Sequence, residues 1–175
     1  TRARALVHWN NNILASSPEQ GRLRRALARD DLFQVSVELF HTDTTAFADV
    51  VLPAASFLEF DDLIAPYFDQ TLAAQVQVMP AMGAALPNQE IFRRLAAAMG
   101  FTEPELFEDD ATLLARLLAD TPFDGGFADL AAAGTVRLFE QPRPQFADGV
   151  FATPSGKIEI ECPGLEALGL ETVPQ

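Results

Sequence analysis

The chain has 175 residues, 49% of them apolar, which suits the core of one domain or of one domain plus a further piece. Twelve basic residues against 25 acidic ones give a net charge of −13, and this argues against a nucleic-acid partner, whose phosphates need clustered Lys and Arg. A single cysteine, Cys162, forms no internal disulfide framework and cannot by itself hold an iron–sulfur cluster, and no run of about 18 apolar residues suggests membrane insertion.

Thr1-Arg2-Ala3-Arg4 is neither a Met start nor a signal-peptide pattern, so the stretch reads as an internal piece of a longer protein. Ala5 to Trp9 is a short apolar strand that runs into Asn10, Asn11 and Asn12, residues that favour turns and tolerate left-handed geometry. Ser17 then serves as the expected N-cap of a helix reaching about Arg29, with Pro18 at its first position and Gln20 completing a capping box. Leu23, Ala26 and Leu27 form its apolar side, and Arg22, Arg25 and Arg29 belong to a solvated face. Leu32 to Val37 alternates as a strand should, which makes residues 5–38 a βαβ unit with a right-handed crossover.

Val50-Val51-Leu52 is a third strand, closed by Pro53. Residues 55–80 read as an irregular excursion with one extended piece between Leu72 and Val78. Within it Glu59, Asp61 and Asp62 have no accompanying histidine and fit no calcium-loop spacing, so they read as a solvated acidic turn. A clear amphipathic helix comes next from Pro87 or Asn88, carrying Ile91, Phe92, Leu95, Ala96 and Met99 and stopping at Gly100. Asp109 or Asp110 caps another, with Leu113, Leu114, Leu117 and Leu118, and a shorter helix is expected from Phe127 to Ala132. Gln141-Pro142-Arg143-Pro144 is a candidate boundary, and Val150 to Glu161 reads as a β-hairpin turning at Pro154-Ser155-Gly156. The fold class over residues 1–142 is therefore α/β, a Rossmann-like parallel sheet with flanking helices.

In such sheets ligands bind beyond the carboxyl ends of the strands, and two of those ends can be located here. The first is the loop of Asn10, Asn11 and Asn12, whose amides can serve a polar ligand, although it lacks a GxGxxG phosphate loop. The second runs from Glu38 to Thr45. Glu38 suits hydrogen bonds from ribose hydroxyls, and Asp43 offers a bidentate acceptor for the adjacent N–H groups of a guanine. Thr42 and Thr44 can donate to phosphate or sugar. Plain turn chemistry, with an Asx turn at Asp43 and threonine caps, is the competing explanation for this loop. His8 sits in an apolar strand and reads as a packed residue, while His41 suits a polar contact or an ordinary surface place. Cys162 reads as an ordinary small residue.

Two blocks, Thr42-Asp43-Thr44 leading into Ala48-Asp49-Val50-Val51-Leu52-Pro53 and Thr153-Pro154-Ser155-Gly156-Lys157-Ile158-Glu159, together with the asparagine loop and the helix Asn88 to Gly100, resemble molybdopterin oxidoreductases of the dimethyl sulfoxide reductase and formate dehydrogenase type. The resemblance implies that residues 1–142 help clasp the guanine dinucleotide end of a bis-molybdopterin guanine dinucleotide with Mo or W, and that residues 143–175 open an incomplete C-terminal β-barrel domain. It places Asn10, Asn11, Asn12, Glu38, Thr42, Asp43 and Thr44 at the cofactor and assigns no metal ligand and no catalytic residue to this stretch. By the same likeness the full-length protein is a cytoplasmic oxidoreductase. A 4Fe-4S cluster would lie in an N-terminal region, and the partners would be the remaining domains of the same polypeptide and an electron-transfer subunit or redox carrier. The alternatives are a related iron–sulfur electron-transfer subunit of the NADH dehydrogenase type that has lost molybdenum, and a generic α/β domain used for protein contact. Asn12-Ile13, where relatives often read Asn-Pro, and Met82-Gly83-Ala84-Ala85, where they often read Pro-Gly-Glu-Ala, depart from the pattern.

Overall fold

The computed structural model describes residues 2–141 and 144–173. The chain divides into two compact units, Thr1–Leu138 and Phe139–Gln175. Pro142 and Arg143, half of the expected connector, lie outside the described residues.

Three strands, β1 (Ala5–Trp9), β2 (Phe33–Glu38) and β3 (Val50–Pro53), form a parallel sheet in the order β1-β2-β3, with Val7 beside Val35 and Val37 beside Leu52. Alternation along the strands sends Leu6 to one face, over a core of Leu14, Leu27 and Leu32. Val37 faces the other way and packs with Ala54, Ile91 and Leu86.

The β1–β2 connection contains two helices where one was expected. Asn12 O accepts the Ala15 and Ser16 N–H groups and starts a single turn, α1 (Ile13–Ser16). Ser17 therefore ends α1 in an extended conformation and does not cap the second helix, and the capping box of Ser17 and Gln20 does not form. Instead the chain bends through Glu19 at φ 56°, and α2 runs Gln20–Leu27, shorter than the expected reach to Arg29. The β2–β3 connection carries only a 3-10 turn, Thr45–Phe47. Buried Gln34 fixes both connections, because its amide Nε2 donates to Leu27 O at 2.7 Å and to Phe47 O at 3.0 Å.

Residues 55–80, expected to be irregular with one extended piece between Leu72 and Val78, contribute two strands to a second sheet, one overlapping that piece and one, at Asp62–Ile64, not expected. Strands β4 (Asp62–Ile64), β5 (Thr71–Gln75) and β6 (Thr135–Arg137) pair antiparallel in the order β4-β5-β6. Leu72 of this sheet is buried with Leu118 of α4 (Asp110–Ala119) and Leu130 of α5 (Phe127–Ala133). Helix α3 (Asn88–Met99) stops as expected at Gly100, whose φ of 75° an L side chain adopts only with strain. Asp109 caps α4 by accepting the Thr112 N–H at 2.7 Å, and that bond holds its carboxyl below the usual range.

In the second unit the expected hairpin from Val150 to Glu161 is absent, and residues 144–173 contain no strand and no closed barrel. Side chains take the groups that a ladder would use: Thr153 Oγ1 donates to Lys157 O at 2.7 Å, and Glu159 Oε1 accepts the Ser155 N–H at 2.9 Å. A tight turn at Gly156 and a 3-10 helix, Pro163–Leu168, remain. Among the described residues no helix is long and apolar enough to cross a membrane.

Candidate functional site

Because β1 and β2 are parallel, the loops that leave Trp9 and Glu38 emerge at the same rim of the sheet. Asn10 turns the first loop at φ 48°, in the left-handed region that asparagine tolerates, and its N–H donates to Val37 O at 3.0 Å. The two loops are then tied side chain to side chain. Thr44 Oγ1 donates to Asn12 Oδ1 at 2.7 Å and accepts the Leu14 N–H at 3.2 Å, which satisfies one of the free N–H groups at the start of α1. Thr44 is 1% exposed, so its hydroxyl is spent on joining the loops.

Thr42 and Thr45 brace the second loop reciprocally. The Thr42 N–H donates to Thr45 Oγ1 at 2.7 Å, and the Thr45 N–H donates to Thr42 Oγ1 at 3.2 Å. Glu38 turns Oε2 back onto the Leu39 N–H at 3.1 Å and leaves Oε1 without a hydrogen-bond partner among the described residues. Asp43 is exposed, and its Oδ2 lies 3.8 Å from Arg24 Nη2 of α2. Arg24 was not singled out by the sequence reading, because on a helical wheel it is one of several arginines and only the fold brings it to Asp43. Asn11 and His41 are exposed at the same loops.

The arrangement presents carboxylate acceptors at Glu38 and Asp43 and amides at Asn10, Asn11 and Asn12 from loops held by internal hydrogen bonds, with one guanidinium, that of Arg24, reaching them from α2. Such a set can accept from a sugar diol or from adjacent ring N–H groups and can offer a cation to a phosphate.

Other polar residues of the sheet have structural roles. Asp49 extends the β2–β3 ladder, its carboxylate accepting the Gln34 N–H at 2.7 Å while its own N–H donates to Gln34 O at 2.8 Å. His8 is buried, as its apolar strand implied; its Nε2, Ser36 Oγ and Gln34 Oε1 have no partner among the described residues. Glu59 is a correction: it is buried and does not belong to a solvated acidic turn. Its two oxygens accept the Ser56 N–H at 2.6 Å and the Met82 N–H at 2.8 Å, and these bonds, chiefly that from Ser56, hold its carboxyl below the usual range. Among the described residues no group of three His, Cys, Asp or Glu side chains is placed to hold a metal ion. Cys162 is exposed.

The family model described as molybdopterin oxidoreductase matches residues 3–98, which include both rim loops and most of α3. The chain belongs to the molybdopterin oxidoreductase family. Among members of known sequence, it is 35% identical over 175 residues to the probable oxidoreductase YoaE of Bacillus subtilis, covering 98% of this chain and 25% of that protein. It is 29% identical over 152 residues to a putative dimethyl sulfoxide reductase catalytic subunit of Halobacterium salinarum, covering 86% of this chain and 18% of that one. Among solved structures, acetylene hydratase from Pelobacter acetylenicus superposes with a TM-score of 0.71 at 24% identity, over 98% of this chain and 23% of that one, a likeness of fold. This molybdopterin oxidoreductase chain thus spans a quarter or less of the length of these relatives. The family match and the dimethyl sulfoxide reductase relative do not favour the NADH-dehydrogenase-type alternative.

Proposed function

We propose that this stretch grips the guanine dinucleotide end of the pterin cofactor in a full-length molybdopterin oxidoreductase. The observation that carries the reading is the Thr44 to Asn12 hydrogen bond, which makes one cradle of two loops at the carboxyl rim of a parallel sheet. Glu38 would accept from the ribose hydroxyls and Asp43 from guanine N–H groups. The amides of Asn10, Asn11 and Asn12 and the hydroxyl of Thr42 would line the sugar and phosphates. Thr44 would act by holding Asn12, and Arg24, released from Asp43, would face a phosphate.

The donor set fits such a group, because Glu38, Asp43 and the exposed Asn10 and Asn11 amides stand on loops tied by internal hydrogen bonds, with the Arg24 cation of α2 beside Asp43. When bound, the cofactor supplies two-electron chemistry at molybdenum or tungsten; this chain's residues bind and orient it. In this reading a 4Fe-4S cluster, the metal-ligating side chain and the surface for an electron-transfer partner belong to other regions of the polypeptide. The test is Glu38→Ala and Asp43→Ala in the full-length protein, with pterin and metal counted per folded molecule. Loss of cofactor in either variant supports the assignment, and full occupancy in both overturns it.

A further inference from the structure

Three buried polar atoms below the rim have no partner among the described residues: His8 Nε2, Ser36 Oγ and Gln34 Oε1. They belong together. His8 and Ser36 are ladder partners across β1 and β2, Gln34 stands two residues before Ser36, and strand alternation turns all three side chains to the face that α1 and α2 cover. None of the three residues is more than 4% exposed. Exchanging the two ends of the Gln34 amide brings no relief, because its nitrogen already donates to Leu27 O and Phe47 O, which leaves its oxygen as an acceptor. A buried polar group without a partner forfeits its hydration, so folded chains keep few of them.

We propose that an internal water joins these atoms between β1 and β2. It accepts the Ser36 hydroxyl proton, donates to Gln34 Oε1, and pairs with His8 Nε2 as donor or acceptor according to the histidine tautomer. Burial chooses this occupant. The three side chains are enclosed by this stretch alone, so a side chain from elsewhere in a longer polypeptide does not reach them and the partner is small enough to sit inside. A metal ion is disfavoured, because the nearest strand carboxylate, Asp49, is spent on the Gln34 N–H and no group of three metal-ligating side chains exists among the described residues. His8 precedes Asn10 by two residues and Ser36 precedes Glu38 by two, so the water ties the strands directly below both rim loops. The proposal does not depend on the nucleotide reading, and either can fail without the other.

The test is a crystal structure of the wild-type full-length protein at a resolution that shows ordered waters. One spherical peak is expected within about 3.2 Å of Ser36 Oγ, Gln34 Oε1 and His8 Nε2, with no anomalous signal of a metal. Two variants check that the peak belongs to these groups. Ser36→Val sets a methyl where the hydroxyl meets the water and should abolish the peak, whereas Ser36→Ala leaves the water two partners and should retain it. The proposal is overturned by a wild-type structure without the peak, by a direct Ser36 to His8 hydrogen bond in its place, or by a metal ion there. A peak that touches only one of the three atoms, or that persists unshifted in Ser36→Val, overturns it as well. Should Ser36→Val fail to fold, the wild-type map decides alone.

Discussion

Thr44 Oγ1 lies 2.7 Å from Asn12 Oδ1, a side-chain bond between residues 32 apart that joins the loops after β1 and β2. The same hydroxyl accepts the buried Leu14 N–H, so one small side chain caps α1 and fixes the asparagine loop together.

Replacing Thr44 with Val keeps its volume and removes both bonds. The unpaired Leu14 N–H then costs about 1–3 kcal/mol, read as a fall in the thermal midpoint of the full-length protein. Cofactor content per folded molecule should fall as well, because Asn12 loses its partner. Thr44→Ser should restore most of both.

Arg93 is the joint between α3 and the segment entering α4. Its Nε donates to Glu108 O at 2.6 Å, and its guanidinium also bonds Glu90 and Asp110. Arg93→Met should destabilise by about 1–3 kcal/mol, mostly from the orphaned Glu108 carbonyl, since the exposed Asp110 carboxylate regains water. Cofactor occupancy of the folded fraction should not change, and Asp110→Asn should cost less than Arg93→Met.

Glu59 gives a pH dependence whose sign is fixed. Its folded carboxyl sits below the 4.5 of a free glutamate, so its stabilisation is fully present above that value and is lost as pH falls through the lower folded value. Hydrogen exchange at the Ser56 and Met82 amides should accelerate in that acid window. In Glu59→Gln the amide turns an N–H toward one of these donors, so exchange there should be faster at neutral pH and lose its acid dependence.

How much of the fold was legible in the sequence depends on how local each signal is. Strands β1 and β2, the Gly100 stop of α3 and the Asp109 cap of α4 are written in neighbouring residues, and each formed. In the second sheet the extended piece at β5 was legible but its partners were not, because β5 pairs with β6 across some sixty residues and β4 and β6 are three residues each. Ser17 and Pro18 carry a sound capping signal. It lost because Asn12 O had already started a turn that Ser17 ends. At the rim, the meeting of the loops could be expected once two strands ran parallel, but the hydroxyl that ties them and the approach of Arg24 to Asp43 arise only from packing.

The most direct measurement is a high-resolution structure of the full-length, cofactor-loaded enzyme. A guanine nucleotide is expected at the rim, with Asp43 accepting from the base, Glu38 from the ribose, and the Thr44 to Asn12 bond intact beneath them. A nucleotide bound elsewhere, with Glu38 and Asp43 facing water or another domain, would contradict it.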